Sequence, residues 1–194
     1  MVADTARAAG WPEIVFFDDR FPAVRANGPW EVRGGSEALF EALAAYDGVL
    51  VAIGENAARL RLHLRLREAG ARMATIVHPN AWVSPNSMVR PGSVVMAGAM
   101  INIGAEVGEA AILNTSASVD HDCILGDGVH VSPGAHLAGG VTVGEGAWIG
   151  IGASVRHGVR IGAGTVIGAG AAVVSDLPAG ITAVGCPARP LNRT

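Results

Sequence analysis

His121 stands between two carboxylates in the run Asp120-His121-Asp122. A carboxylate hydrogen-bonded to one imidazole nitrogen fixes the tautomer and supports the imidazolium that forms when the other nitrogen takes a proton. That is the equipment of a general base. On residue types alone, the triplet reads more simply as a surface histidine beside solvated aspartates. His130 is a second candidate, with a coil corner or a subunit interface as its bland reading; His136 and His157 have weaker claims. His63 and His78 read as structural. Cys123 and Cys186 sit at unmatched positions, forming neither a disulfide framework nor a metal spacing, and read as free thiols of a reducing cytoplasm. No serine or cysteine is an obvious nucleophile.

These residues lie in a strongly periodic stretch. From Val83 to Val173 every sixth residue is aliphatic, sixteen landings without a slip, among them Val119, Leu125, Val131 and Leu137. Two residues before most landings sits a small residue such as Ala99, Ala117 or Cys123, and glycine often follows, as at Gly108, Gly126 and Gly144. A period of six fits neither a helix nor an ordinary strand. It fits stacked coils in which each hexad is one short strand plus a corner, the aliphatic residue pointing inward. Three hexads per turn give about five coils. His121, two residues past a landing, points out of such a prism, whereas Cys123 points in.

Composition narrows the class. Half of the 194 residues are hydrophobic, but no apolar run of eighteen escapes glycine or charge, so no membrane span is expected. The start shows no basic region followed by an apolar core, hence no signal peptide. A net charge of −3 without a basic cluster argues against nucleic acid as a partner.

Residues 1–77 read as a small α/β unit and 78–194 as the prism with its tail. A helix is expected over Val2 to Ala9 closed by Gly10, and a buried strand over Ile14 to Phe17 ending in Asp18-Asp19. Phe21 to Gly35 reads as loop with one edge strand. Ser36 caps a helix through Tyr46, and Val49 to Ile53 is a second buried strand ending at Gly54. Arg59 to Arg67 alternates charge and leucine like a strand. Leucine and arginine nevertheless favour helix, Asn56 can cap its start and Gly70 its end, and a crossover is needed before a third strand at Thr75 to Val77.

The hexads, the segments Asn114 to Asp122 and His130 to Ala135, and the exit Val184-Gly185-Cys186-Pro187-Ala188-Arg189 together resemble the left-handed β-helix acyltransferases. More narrowly they resemble the bacterial nucleotide-sugar acetyltransferases: the bacillosamine and perosamine N-acetyltransferases and the sialic-acid O-acetyltransferase relatives. The resemblance implies an incomplete Rossmann-like α/β unit with parallel strands, followed by an all-β left-handed parallel β-helix of hexapeptide repeats. It implies a cytoplasmic homotrimer that uses acetyl-CoA, with no metal, to acetylate the amine of a nucleotide-linked amino-deoxy sugar for surface glycan. Family members open with a strand and a glycine-rich loop; this chain starts at what corresponds to the following helix, so part of the nucleotide site is expected to be missing.

The resemblance makes His121 the base, oriented by Asp122, in direct attack on the thioester. His130 and Asn114 would contact the acceptor. Asp18, Asp19, Gly54, Asn56 and Arg59 would hold its nucleotide, at the strand ends where open α/β sheets bind ligands; an acidic turn and an ordinary helix cap explain them equally well. The coenzyme would run past Ala138, Gly139, Ile151, Ala169, Pro187 and Arg189. Three alternatives stand beside this one. An O-acetyltransferase would use the same base on a hydroxyl. A γ-carbonic-anhydrase-like metal protein shares the coil and could use His121 and His157, which are 36 residues apart (157 − 121), but its third ligand position is Gly162. The last is a catalytically silent scaffold.

Overall fold

The inward residues set the architecture. In a computed structural model that describes residues 1–191, Val95, Ile101, Val107, Leu113 and their successors at six-residue steps are buried along one axis, each with a small partner such as Ala99, Ala105 or Ala111. From Ile76 to Val155 each rung pairs in parallel with the residue 18 positions on, as Val94 with Ile112, Ile112 with His130 and His130 with Trp148. Three hexads thus close one turn of a triangular prism, the parallel β-helix that the six-residue period leads one to expect. Its first face carries Ile112, His130 and Trp148 outward, its second Met100, Ser118 and His136, its third Glu106, Ile124 and Thr142. The last three residues of the tail, 192–194, lie outside the described residues.

Corner geometry explains the glycines. The second residue of each corner from position 92 to 170 has a positive φ, which a Cβ disfavours. Glycine holds this column everywhere except at Ala110, Ser116 and Asp122, with φ of 52°, 55° and 58°. A second column, Gly108, Gly126 and Gly144, leaves room for the next coil. A Cβ on Gly126 would lie 2.6 Å from the Glu145 nitrogen.

The amino-terminal unit is built from α1 (Val2–Ala8), β1 (Phe16–Phe17), β2 (Ala26–Asn27), β3 (Trp30–Gly34), α2 (Ser36–Glu41) and α3 (Asn56–Glu68). Gly10 and Gly70 follow α1 and α3 in left-handed conformation, as the sequence leads one to expect. β1 pairs in parallel with β3, which forms an antiparallel hairpin with β2 across the two-residue turn Gly28-Pro29. The stretch from Phe21 to Gly35 therefore holds two strands, not one. Among the described residues Val49 to Ile53 makes only one bridge, Val49 to Met73, and is not a sheet strand. The expected third strand of this unit is β4 (Ile76–Val77), and it pairs with Val94-Val95 of the prism. Val77 lies six residues before Val83, so the landing series already contained it. The N-caps also shift. Gly35 precedes α2, with Asp19 Oδ1 accepting the Ser36 N–H (2.6 Å), and Glu55 caps α3 by accepting from Ala57 and Ala58.

Two contacts dock this unit on the prism. Ala6 packs with Ile76, Val94, Met96 and Ile112 over the first face. α3 climbs the corner that leads into that face, burying Asn56, Arg59, Leu60, His63 and Leu66.

The two glycine columns make separate predictions for stability. Gly126→Ala drives a Cβ into backbone that cannot retreat and is expected to cost about 3 kcal/mol. Gly146→Ala meets open space and is expected to cost only about 1 kcal/mol of left-handed strain. Chemical denaturation of both variants checks the order; equal losses would contradict the close-approach argument.

Candidate functional site

The corner between the second and third faces gathers the chemistry. His121 lies on it and is exposed, its Nδ1 2.8 Å from Asp122 Oδ2. Its backbone N–H donates to Asp120 Oδ1 (2.8 Å), which also accepts from Asn102 Nδ2 (2.9 Å). Asp122 can hold this pose because the chain takes the left-handed corner there, with Oδ1 against Gly104. The imidazole in turn lies over Gly139 of the next coil: a Cβ on Gly139 would collide with Nε2. With Nδ1 donating to the carboxylate, Nε2 is the nitrogen left to accept a proton. The hydrogen bond that His121 Nδ1 donates to Asp122 holds the His121 pKa above the usual imidazole value, against an opposing desolvation and with lesser help from the charges of Asp120 and Asp122.

His130 is the electrostatic opposite. It is buried on the first face, stacked on Trp148 with ring centroids 5.1 Å apart, and its Nε2 is 3.3 Å from Asn114 Nδ2. Burial, helped by the Arg59 charge, pulls its pKa down to about 4, so it is neutral at neutral pH. Among the described residues its Nδ1 has no partner. Asn114 Oδ1 accepts the Thr115 N–H, which leaves its amide nitrogen facing the ring.

The residues expected at the acceptor's nucleotide divide. Asp18 accepts three hydrogen bonds from Arg20, two from the guanidinium and one from the backbone N–H, which bring its pKa to about 2, while Asp19 holds the start of α2. Gly54 borders the open end of its loop, with no atom within 4 Å of where a Cβ would be. Asn56 and Arg59 point into the prism instead. Asn56 donates to the Gly146 and Ala147 carbonyls, and Arg59 is 1% exposed. Both belong to the docking contact.

The residues expected along the coenzyme occupy two corners. Gly139 lies under His121, and Ala138 beside it borders an open hollow of about 420 Å³ with Asn102, Asp120, Ser118 and His136. Ser118 Oγ and His136 Nδ1 are 2.8 Å apart there, a pairing sequence reading missed although the 18-residue spacing implies it. Ile151, 60% exposed, and Ala169 lie across the second face on the next corner. Pro187 and Arg189 are in the returning tail, whose Ala188 N–H donates to Ala172 of the second face. Cys123 is buried, and desolvation pushes its thiol pKa up, which keeps it protonated and inert.

Among the described residues no cluster of three His, Cys, Asp or Glu side chains could hold a metal ion, and no helix is long and apolar enough to cross a membrane. His157 lies two coils from His121 with Gly139 between them.

A family profile described as the PglD N-terminal domain matches residues 1–66, and one described as bacterial transferase hexapeptide (six repeats) matches residues 140–174. No match was found among curated proteins. Solved structures are similar over almost the whole chain. The acetyltransferase domain of PglB from Neisseria gonorrhoeae is 40% identical with a TM-score of 0.91, covering 98% of this chain and 93% of that one. A histidine-to-asparagine variant of perosamine N-acetyltransferase from Caulobacter crescentus, in complex with CoA and GDP-perosamine, is 40% identical with a TM-score of 0.94, covering 99% and 91%. WeeI from Acinetobacter baumannii is 28% identical with a TM-score of 0.83, covering 91% and 85%. Such identity, over nine-tenths of the PglB domain and the perosamine enzyme, means that the chain belongs to the left-handed β-helix, hexapeptide-repeat nucleotide-sugar acetyltransferases.

Proposed function

We propose that this chain is an acetyl-CoA-dependent N-acetyltransferase acting on the amine of a nucleotide-linked amino sugar, with His121 as general base. The observation that carries the reading is the corner Asp122–His121–Gly139, where a carboxylate-oriented imidazole presents a free Nε2 beside a main chain without side-chain cover. The acceptor amine attacks the thioester carbonyl, and Nε2 takes the proton the nitrogen sheds. The Gly139 N–H, which among the described residues donates to no backbone carbonyl, is the donor we assign to the oxyanion. Collapse expels the coenzyme thiolate, which recovers the proton from the imidazolium. Asp122 stays ionised throughout and supports that imidazolium.

The relatives support this choice of substrates. The PglB domain was solved with acetyl coenzyme A, and the perosamine enzyme with CoA and GDP-perosamine, an amino sugar on a nucleotide. An amine acceptor is favoured over a hydroxyl on that ground. Ala138, Gly139, Ile151, Ala169, Pro187 and Arg189 are proposed to line the coenzyme's path, His130 and Asn114 to meet the acceptor, and Gly54 with Asp18 and Asp19 to border its nucleotide.

The working unit we propose is a homotrimer. Met100 and Ile103 on the coil before His121 and Ile124 on its own coil are 46%, 57% and 52% exposed, an apolar strip that a second copy would cover.

Three expected outcomes follow from the base, the carboxylate and the strip. His121→Ala lowers kcat about 10²- to 10⁴-fold in a thiol-release assay against UDP-, GDP- and dTDP-linked amino sugars, with coenzyme binding retained; unchanged turnover would sink the assignment. Because a raised pKa keeps His121 protonated to higher pH, kcat/KM should climb through an acidic limb above the ordinary imidazole value of about 6.5. Asp122→Asn should move that limb to lower pH as well as slow the reaction, and a limb that stays put would remove Asp122 from its role. Light scattering should give three times the chain mass for the wild type and one for Ile103→Glu; an active wild-type monomer would refute the trimer.

A further inference from the structure

Arg59 is a cation in a dry place. Its guanidinium is 1% exposed, burial lowers its pKa to about 10, and among the described residues no carboxylate is bonded to it. If docking α3 on the prism were its whole task, an apolar side chain would do as well, as Leu60 does beside Gly128. A guanidinium adds direction, because its five donors lie in one fixed plane.

Those donors reach three separate segments. Nη1 donates to the Ile53 and Gly54 carbonyls at 3.0 and 3.2 Å, on the loop where the acceptor's nucleotide is proposed to bind. Nε donates to the Ala110 carbonyl at 2.8 Å and Nη2 to the Gly128 carbonyl at 2.7 Å, with Asn56 Oδ1 also 2.8 Å from Nη2. Ala110 and Gly128 are 18 residues apart (128 − 110), the two ends of one full turn of the prism. That turn carries Asn114, His121 and Asp122. It also holds Ala110, Ser116 and Asp122, the three residues that replace glycine in the left-handed column.

We propose that Arg59 is a positioning residue for the transfer reaction: it locks the Ile53–Gly54 loop to the two ends of the coil that bears His121, and so sets the reach of the bound acceptor to the base. The proposal rests on the reading of this chain as a nucleotide-sugar acetyltransferase. Its geometry, however, can be tested without substrate. An error of about 1 Å between reacting groups can slow a reaction about 100-fold, so the position of this loop has consequences at His121.

The test compares Arg59→Lys with Leu66→Ala. Lysine keeps the charge but not the planar fork, and cannot span loop and coil together. Leu66 is buried against Val49 and Val51, away from the clamp, so Leu66→Ala controls for lost stability. Arg59→Lys should lower kcat/KM for the acceptor about 10- to 100-fold and leave the directly measured coenzyme Kd unchanged. Leu66→Ala, compared at its own loss of Tm, should keep the acceptor kcat/KM. Wild-type acceptor kinetics in folded Arg59→Lys, or an equal loss in Leu66→Ala, would overturn the proposal. Should the wild-type protein acetylate no amino sugar, the functional reading has failed, and NMR relaxation of the free protein still decides the clamp. The backbone of residues 53–55 must then be more mobile in Arg59→Lys than in Leu66→Ala, and equal order overturns it.

Discussion

The spacing between stacked strands governs this molecule. Parallel rungs lie about 4.8 Å apart, and one helical turn rises about 5.4 Å. The two are close enough for a helix laid along a prism corner to offer about one side chain per coil. α3 does this: Asn56 reaches Gly146, Arg59 reaches Gly128 and Ala110, and His63 lies on Gly92 with Nε2 2.9 Å from Glu109. The buried partners are backbone carbonyls and a carboxylate, so the match is enforced by hydrogen-bond geometry as well as by apolar packing. Everything the amino-terminal unit presents to a ligand inherits its place from this register.

One coil departs from the pattern that makes the others stable. Ala110, Ser116 and Asp122 each accept a left-handed backbone where glycine would be free of strain, at roughly 1–2 kcal/mol per residue for an ordinary side chain and less for aspartate. Strain of this kind persists where neighbouring structure over-determines it. Ala110 lends its carbonyl to Arg59, and Asp122 holds His121. His121 on this turn and His130 just past its end then diverge: His121, solvated and beside carboxylates, holds its proton longer, whereas His130, buried under Trp148, stays neutral. Environment, not residue type, separates them.

The prism was legible because its signal is a strict period of six, repeated too often to be accidental, and even Val77 was on it. The amino-terminal unit was harder. Leucine alternation from Arg59 to Arg67 obscured the face that matters, since α3 buries Asn56, Arg59 and His63, which no hydrophobic pattern reports. Asn27-Gly28-Pro29 reads as generic loop, yet the chain turns on Gly28-Pro29 alone, so that Asn27 and Trp30 pair as strand residues. That His121 and Asp122 touch follows from adjacency at an outward corner. Arg59 could be read as a ligand contact because a charged residue after a strand end suggests one; its five partners are spread from 53 to 128 and converge only in the fold. The break in the glycine column at 110, 116 and 122 was visible all along, and it marked the coil that carries the chemistry.

A prism of identical coils would seem free to lengthen anywhere by inserting eighteen residues. This one is not, because α3 counts the coils from Gly92 to Gly146 and cannot stretch to follow an added one. Extra coils can be accommodated only beyond Gly146, toward the tail. The same helix that fixes the site therefore divides the chain into a part whose length is frozen and a part whose length descendants are free to change.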